Sequence, residues 1–472
     1  MSMMRGILPL ALACLAALAG ARPNIVYILA DDLGYAEIGP FGQKLIPTPR
    51  LDQMAREGLC FDRAYAGSAV CAPSRTALLT GLHTGRGPIR ANKEYPNGQH
   101  PLPKDIPTVA KSLKGAGYAT GCFGKWGMGY PGSGSEPPDQ GFDRFFGYNH
   151  QVHAHEYFPK ALDEGRGQQN VPLKDGEYAH GRIVDEALAW TRAQAKAGKP
   201  FFLFLPITLP HGKLQATPEM LAPFRDKYAD NPNPNIARLY AAMVHRLDAD
   251  VGRVMDLVRE LGLEKDTLVV FLSDNGCDAA YGYHPEYFRS RGGLRGDKRS
   301  PFEGGSRTAQ LAWWPGTVAA DKRTDLLTAA WDLLPTACEL AGAPVPAGLS
   351  GLSLAPTLTG KGEQARHDLV FFEFHEGHGW QSVVWADKTK AIRRRLLSEQ
   401  PGAVEVYDLA TDPAEQNDLA KSRPDLVKRA EEAFRREHVA NRDFPLPGEP
   451  GWAEKARREA ARKQQVREAK GK

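Results

Sequence analysis

Asn24-Ile-Val-Tyr-Ile-Leu-Ala30, followed at once by Asp31-Asp32, is the stretch that decides the fold. It is unbroken in apolar character, rich in β-branched and aromatic residues, and shorter than a typical helix. A strand that shows no polar face is buried on both faces, which is the condition of a parallel sheet covered by helices on either side. Runs of the same kind recur at 59–65, 118–123, 201–206, 267–273 and 309–313. Helical patterns separate them, the clearest at 236–261, where Leu239, Tyr240, Met243, Val244, Leu247, Val251, Val254, Met255 and Val258 share one face. Another spans 326–341. This alternation predicts a doubly wound α/β fold with a mixed, mostly parallel sheet. In such sheets ligands bind beyond the carboxyl ends of the strands. Asp31-Asp32, Lys125, His211 and Asp274-Asn275 each fall just after a predicted strand, and Cys71 follows another by a few residues. Chemistry-bearing residues therefore gather at one edge of the sheet.

The rest of the chain frames that core. Its 472 residues, 42% hydrophobic and 25% charged, are ordinary for a globular enzyme. Residues 1–21 read as a signal peptide: Arg5 gives the positive start, residues 7–19 the apolar centre, and Ala17-Leu-Ala19 or Ala19-Gly-Ala21 the cleavage site. That run is short for a membrane span and no later segment is long and apolar enough, so export to the periplasm or outside the cell is expected. The segment 129–175 is rich in Gly, Pro and His and reads as a long loop. A Pro/Gly-dense stretch at 343–362 reads as a linker. The expected division is a catalytic domain over 22–362, a smaller C-terminal α/β domain over 363–446, and a basic tail over 447–472. Strands are expected at 368–374, 382–385 and 391–397 and a helix at 423–436. Within the tail, residues 454–472 carry +5 of a net +4, leaving the remainder near neutral. No nucleic-acid module is recognisable, and the tail reads as a solvated terminus. Cys60, Cys122, Cys277 and Cys338 match no zinc spacing and read as core residues, with Cys277 beside the site.

Two paired-oxygen motifs, Asp31-Asp32 and Asp274-Asn275, offer oxygen ligands of the kind a hard cation such as Ca²⁺ takes; zinc would favour His or Cys. In Cys71-Ala-Pro-Ser-Arg75, Pro73 suits the first turn of a helix closed by Gly81, which places position 71 at a helix N-terminus, where an anion is favoured. Arg75 follows one turn later on the same face.

Cys71-Ala-Pro-Ser-Arg75 resembles the Cys-x-Pro-Ser-Arg signature of the formylglycine-dependent (type I) sulfatases, arylsulfatase-like members of the alkaline phosphatase superfamily. The likeness continues through Gly124-Lys125-Trp126-Gly127, Pro210-His211, Leu294-Arg-Gly-Asp-Lys298, Glu303-Gly-Gly-Ser-Arg307 and the stretch 406–419. It implies an alkaline-phosphatase-like fold and hydrolysis of sulfate esters, most readily on a sulfated carbohydrate. It also implies conversion of Cys71 to 3-oxoalanine (formylglycine) by a maturation enzyme. One hydroxyl of the hydrated aldehyde attacks sulfur, and loss of the other's proton expels sulfate, an exit that a plain serine lacks. By the same resemblance Asp31, Asp32, Asp274, Asn275 and the modified Cys71 hold calcium, and Arg75, Lys125, Lys298 and His211 are catalytic. Arg75 would hold the hydrate, Lys125 and Lys298 the sulfate, and His211 would protonate the departing alcohol. His153 and His155, in the loop 147–155, and Arg295 are expected to bind substrate. A second metal at His153-Ala-His155 is an alternative.

The chain departs from the pattern at Gly127, where the family has His, a contact of the hydrate and a candidate base for sulfate elimination. A branch of polysaccharide-directed sulfatases also has Gly there, so the elimination base is left unassigned. Two other readings stand beside the sulfatase one: a phosphate or phosphonate ester hydrolase of the same superfamily, and a sulfated-glycan binder whose Cys71 is never converted. The sugar, the sulfate position, exo or endo action and the oligomeric state are not legible in the sequence.

Overall fold

The computed structural model describes residues 22–92, 94–95, 98–454 and 457. The predicted leader and, of the basic tail, residues 455–456 and 458–472 lie outside these residues. At the centre is an eleven-stranded sheet. Its order is Lys322–Thr324, Leu59–Tyr65, Arg307–Trp313, Thr267–Ser273, Asn24–Asp31, Phe201–Pro210, Ala119–Lys125, Arg144–Tyr148, Ala161–Glu164 and Val171–Pro172, with Thr328–Ala329 also paired to Leu59–Tyr65. Asn24–Asp31 lies in the middle, parallel to both neighbours. Arg307–Trp313 runs antiparallel between Thr267–Ser273 and Leu59–Tyr65, and Ala161–Glu164 is antiparallel to Arg144–Tyr148. The sheet is thus mixed and mostly parallel, as expected.

The central strand shows why its sequence carries no polar face. Val26, Ile28 and Ala30 enter one apolar cluster with Tyr240, Val244, Leu247 and Val251 of the helix Pro234–Glu260. Ile25, Tyr27 and Leu29 enter a second cluster with Val109, Leu113, Leu334 and Ala337 from helices on the opposite face. Each Val, Leu or Ile among them contributes about 1.5–3 kcal/mol by leaving water. Truncating Leu29 to Ala would cost about 2–5 kcal/mol, because closely packed neighbours cannot collapse into the void.

Two expectations need correction. The segment read as one long loop holds three strands, Arg144–Tyr148, Ala161–Glu164 and Val171–Pro172, which extend the sheet at one edge. Their shortness hid them from a periodicity reading. The helix expected over 326–341 is confined to Leu333–Ala341, and Thr328–Ala329 before it is a strand. Asp332 explains the break: it accepts from Ala329 N at 2.9 Å and from Leu352 N at 2.9 Å.

The smaller C-terminal domain is an antiparallel sheet in chain order, Leu369–Phe374, Trp380–Trp385, Thr389–Arg394 and Val404–Asp408. Helix Pro424–Glu437 covers it through Ala430, Ala433 and Phe434 against Phe371 and Val383. The last strand had not been anticipated as one. Buried charge ties the two parts together. Lys390 Nζ lies 3.0 Å from Glu303 and 2.9 Å from Glu415, and Arg90 lies 2.5 Å from Glu373. Among the described residues no helix is long and apolar enough to cross a membrane.

Candidate active site

Helix Cys71–Thr80 begins at Cys71 after an extended Val70 that offers no side-chain cap, and it closes at Gly81 with φ 71°. Cys71 is therefore the first residue of the helix, whose first-turn Ala72 N donates to Asn92 Oδ1 at 3.0 Å. Its Sγ lies 3.7 Å from Asp31 Oδ1 and has no exposure to solvent. Burial pushes the thiol up to about 12, so as a cysteine it is protonated and a poor nucleophile.

Asp31 ends the central strand, and Asp32 follows in the left-handed region at φ 63°. That turn sends the two carboxylates to different partners. Lys125 Nζ donates to Asp31 Oδ2 at 2.7 Å, and Lys298 Nζ donates to Asp32 Oδ2 at 2.6 Å. Asn275 Nδ2 donates to Asp32 Oδ1 at 2.7 Å. Arg75 grips Asp274 Oδ2 with Nε at 3.0 Å and Nη2 at 2.8 Å, and its Nη1 donates to the Lys125 carbonyl at 2.7 Å. His211 Nε2 lies 3.4 Å from Asp32 Oδ2. All of these side chains are buried.

The electrostatics follow from this crowding. Burial alone would raise Asp31, but Lys125, His211, Arg75 and Lys298 more than reverse it, and its carboxyl lies well below the usual range. Burial and then the charge of Asp31 push Asp274 up to about 7 in spite of Arg75. Burial lowers both lysines, yet facing charges, chiefly Asp31 for Lys125 and Asp32 for Lys298, hold them above their ordinary value. Burial drives His211 well below its ordinary value. Three carboxylates in one dry site, one of them forced toward its neutral form, favour an added cation.

Asp31, Asp32, Cys71 and His211 each offer a ligand atom, all within 4.8 Å of one another. Asp274 and Asn275 flank that group. Asp274 is engaged by Arg75 and by Asp32 N at 3.2 Å, whereas Asn275 Oδ1 is buried without a hydrogen-bond partner. An orphaned buried carbonyl oxygen beside carboxylates suits a hard cation.

The loop histidines separate. His153 and His155 lie in a 3₁₀ turn. His155 stacks on His211 with ring centroids 4.4 Å apart, and its buried Nε2 has no partner. Burial holds it down to about 3. His153 turns the other way, its Nδ1 3.9 Å from Asp163 and its ring edge-on to Tyr148. Among the described residues, neither belongs to a group that could ligate a second metal. Arg295 is also away from the centre. Its guanidinium lies 3.7 Å above the Phe302 ring and donates to the Glu415 carbonyl at 2.7 Å.

Gly127 has φ 74°, a backbone that a histidine adopts only with strain, and a Cβ there would meet Gln151 Oε1 at 3.1 Å. Gln151 Oε1 and both amide atoms of Asn149 are buried without partners. Sequence reasoning quoted their loop without singling them out. It missed Asp278, whose Oδ2 lies 3.4 Å from Lys298 Nζ, and Tyr281, whose hydroxyl lies 3.4 Å from His211 Nε2. The proximity of Asp278 to Asp274-Asn275 was the only signal available.

A family model described as Sulfatase matches residues 23–343, and one described as N-sulphoglucosamine sulphohydrolase, C-terminal, matches residues 295–436. The chain is 35% identical to arylsulfatase A of Homo sapiens, over 87% of this chain and 86% of that protein. It is 35% identical to N-acetylgalactosamine-6-sulfatase of Rattus norvegicus, over 74% of this chain and 68% of that one. Among solved structures it resembles Ps i-CgsB in complex with k-i-k-neocarrahexaose, with a TM-score of 0.75, 28% identity, and coverage of 88% of this chain and 92% of that one.

Proposed function

This chain belongs to the sulfatase family and is a sulfuric ester hydrolase, and from that premise we propose that it releases sulfate from a sulfated saccharide with a nucleophile made from Cys71. The observation that carries this reading is the position of Cys71: a helix N-terminus 3.7 Å from Asp31, in a buried site with Lys125, Lys298 and His211. A thiol held protonated by burial has little use there, whereas an anion-accepting site around it has one.

The residues present fit calcium. Asp31, Asp32, Asn275 and Asp274 would hold it with the modified Cys71, and the orphaned Asn275 oxygen supports this assignment. When bound, the ion would supply positive charge that draws electrons from the sulfate oxygens, and the hydrated formylglycine would supply the attacking hydroxyl. The chain's own residues do the rest. Arg75, fixed by Asp274 and the Lys125 carbonyl, keeps the carboxylates in place. Lys125 and Lys298 stay protonated and neutralise the anionic ester. His211 Nδ1 faces the Gly212 carbonyl at 2.5 Å, so Nδ1 carries the ring proton and Nε2 is the atom turned to the site. Nε2 must therefore take up a second proton from solvent before it can act; Asp32 Oδ2 at 3.4 Å favours the resulting imidazolium, which would pass the Nε2 proton to the leaving alcohol.

Saccharide substrates are supported by the relative named for N-acetylgalactosamine-6-sulfate and by the carrahexaose complex. On this reading Asn149, Gln151 and His155, with unpartnered buried polar atoms, receive substrate hydroxyls. The catalytic unit is 22–362 and the smaller domain 363–446. Export through residues 1–21 and conversion of Cys71 by a formylglycine-generating enzyme complete the proposal. The experiment is sulfate release from a panel of defined sulfated oligosaccharides, set against the phosphate esters of the same alcohols at equal concentration. Preference for sulfate supports the reading; preference for phosphate would replace it.

A further inference from the structure

Beside the catalytic centre a cavity of about 1040 Å³ opens between the loop that carries Lys298 and the two hairpin ends of the C-terminal sheet. That volume is at the upper end of ordinary small-molecule sites. Its walls carry four arginines, Arg295, Arg299, Arg394 and Arg395, and three carboxylates, Glu376, Glu405 and Asp418.

Every one of those carboxylates is already engaged. Glu376 accepts from Arg299 Nε at 3.1 Å and from Asn92 N at 2.8 Å. Glu405 accepts from Arg394 Nε at 2.6 Å and from the Tyr407 hydroxyl at 2.8 Å. Asp418 accepts from the backbone N–H of Val406 and of Ala420, both at 2.9 Å. Arg395 is left over: its guanidinium has no acceptor among the described residues. Its backbone is nevertheless held. It sits at φ 57°, its carbonyl accepts from Ser398 N at 3.1 Å, and the next two residues bond to Gly379 and His378 at 3.1 and 2.9 Å. An exposed arginine on a held backbone, with its fork unspent, can receive a planar or tetrahedral anion.

The cavity adjoins the reaction centre through Arg299. Its N donates to the Ala69 carbonyl at 2.8 Å, two residues before Cys71. Its Nη1 lies 3.6 Å from Asp278 Oδ2, the atom that also faces Lys298 Nζ. A chain whose sulfate is seated near Cys71 has this cavity as its neighbour.

We propose that this cavity is a subsite for an anionic group, a sulfate ester or a carboxylate, on the sugar next to the one that carries the scissile sulfate, with Arg395 as its recognition residue. The proposal rests on the saccharide-sulfatase reading above and adds a substrate class to it: saccharides charged on consecutive sugars.

The test uses three matched trisaccharides that share the scissile sulfate and differ in the neighbouring sugar, which is sulfated, a uronate, or neutral. Equilibrium binding of each is measured to full-length Cys71→Ala protein, alone and combined with Arg395→Lys or Arg395→Glu. KM and kcat are measured in the corresponding proteins that retain Cys71. The charged-neighbour compounds are expected to bind about ten-fold more tightly than the neutral one, the worth of one charge-assisted contact. Arg395→Glu should abolish that preference and Arg395→Lys should keep part of it, with the change in KM rather than kcat. Whichever charged arm shows the larger preference identifies the anion. Equal binding of charged and neutral compounds, or a preference untouched by Arg395→Glu, overturns the subsite and leaves the sulfatase reading intact. Failure of all three to bind, with no sulfate released, overturns both.

Discussion

Gln151 Oε1 lies 3.1 Å from the point where a side chain on Gly127 would begin. The two positions share one space, which Gln151 fills. Because Gly127 also has φ 74°, Gly127→His has to strain its backbone and displace the Gln151 amide. It is expected to raise KM about ten-fold with little change in kcat, because the binding contacts of Gln151 are lost while sulfate elimination does not limit turnover. Steady-state kinetics on a saccharide sulfate decides this. A higher kcat would instead show that the missing histidine limits sulfate elimination.

His211 should matter in proportion to how poor the leaving group is. A sugar alcohol needs a proton as it departs, while an activated phenol hardly does. His211→Ala is expected to lower kcat/KM for a sugar sulfate about a hundred-fold more than for nitrophenyl sulfate, with chemistry limiting both. Equal losses would make His211 a sulfate-binding residue, since uniform binding ignores the leaving group.

Asp274→Asn keeps the shape of a side chain gripped by Arg75 while removing its charge from the proposed cation site. Calcium content after gel filtration should fall, and activity should drop about a hundred-fold, in line with losses of this kind around metals. Chelation of the native protein should lower its melting temperature, and added calcium should restore it. Full activity with no metal retained would exclude the assignment.

Glu37 offers a test away from the site. Burial pushes it up to about 7, although the Tyr240 hydroxyl at 2.5 Å and Gly34 N at 2.6 Å both donate to its carboxylate. Between its ordinary 4.5 and about 7 the folded protein keeps a proton that the unfolded chain has released. That contribution is complete below the lower value and is lost as pH rises through the upper one. Glu37→Gln removes the titration. Its stability relative to the native protein should therefore improve between pH 4.5 and 8, by on the order of 3 kcal/mol. Urea unfolding at the two pH values measures this, and a pH-independent difference would contradict it.

Much of the centre was legible because its residues sit in local sequence contexts that dictate geometry. Asp31, Lys125 and Asp274 follow or end buried strands, and strand ends of a doubly wound sheet converge. Cys71 and Arg75 are one helical turn apart, so the helix fixes their relation. What could not be read depends on long-range packing. His153 and His155 share a three-residue motif, yet the turn sends one to Asp163 and the other to His211. Arg295 lies in a family-like stretch, but its contacts with Phe302 and the Glu415 carbonyl, at the wall of the neighbouring cavity, could not be foreseen from it. The buried link from Lys390 to Glu303 and Glu415 joins residues far apart in the chain, and no periodicity announces it.

The central claim is that Cys71 works as formylglycine. It is tested most directly by mass spectrometry of the Cys71 peptide across preparations whose sulfate-releasing activity is measured in parallel. The account predicts that specific activity rises in proportion to the fraction of aldehyde at position 71, and that Cys71→Ala releases no sulfate while its melting temperature stays close to that of the native protein. Fully active protein carrying only the free thiol at Cys71 would contradict it.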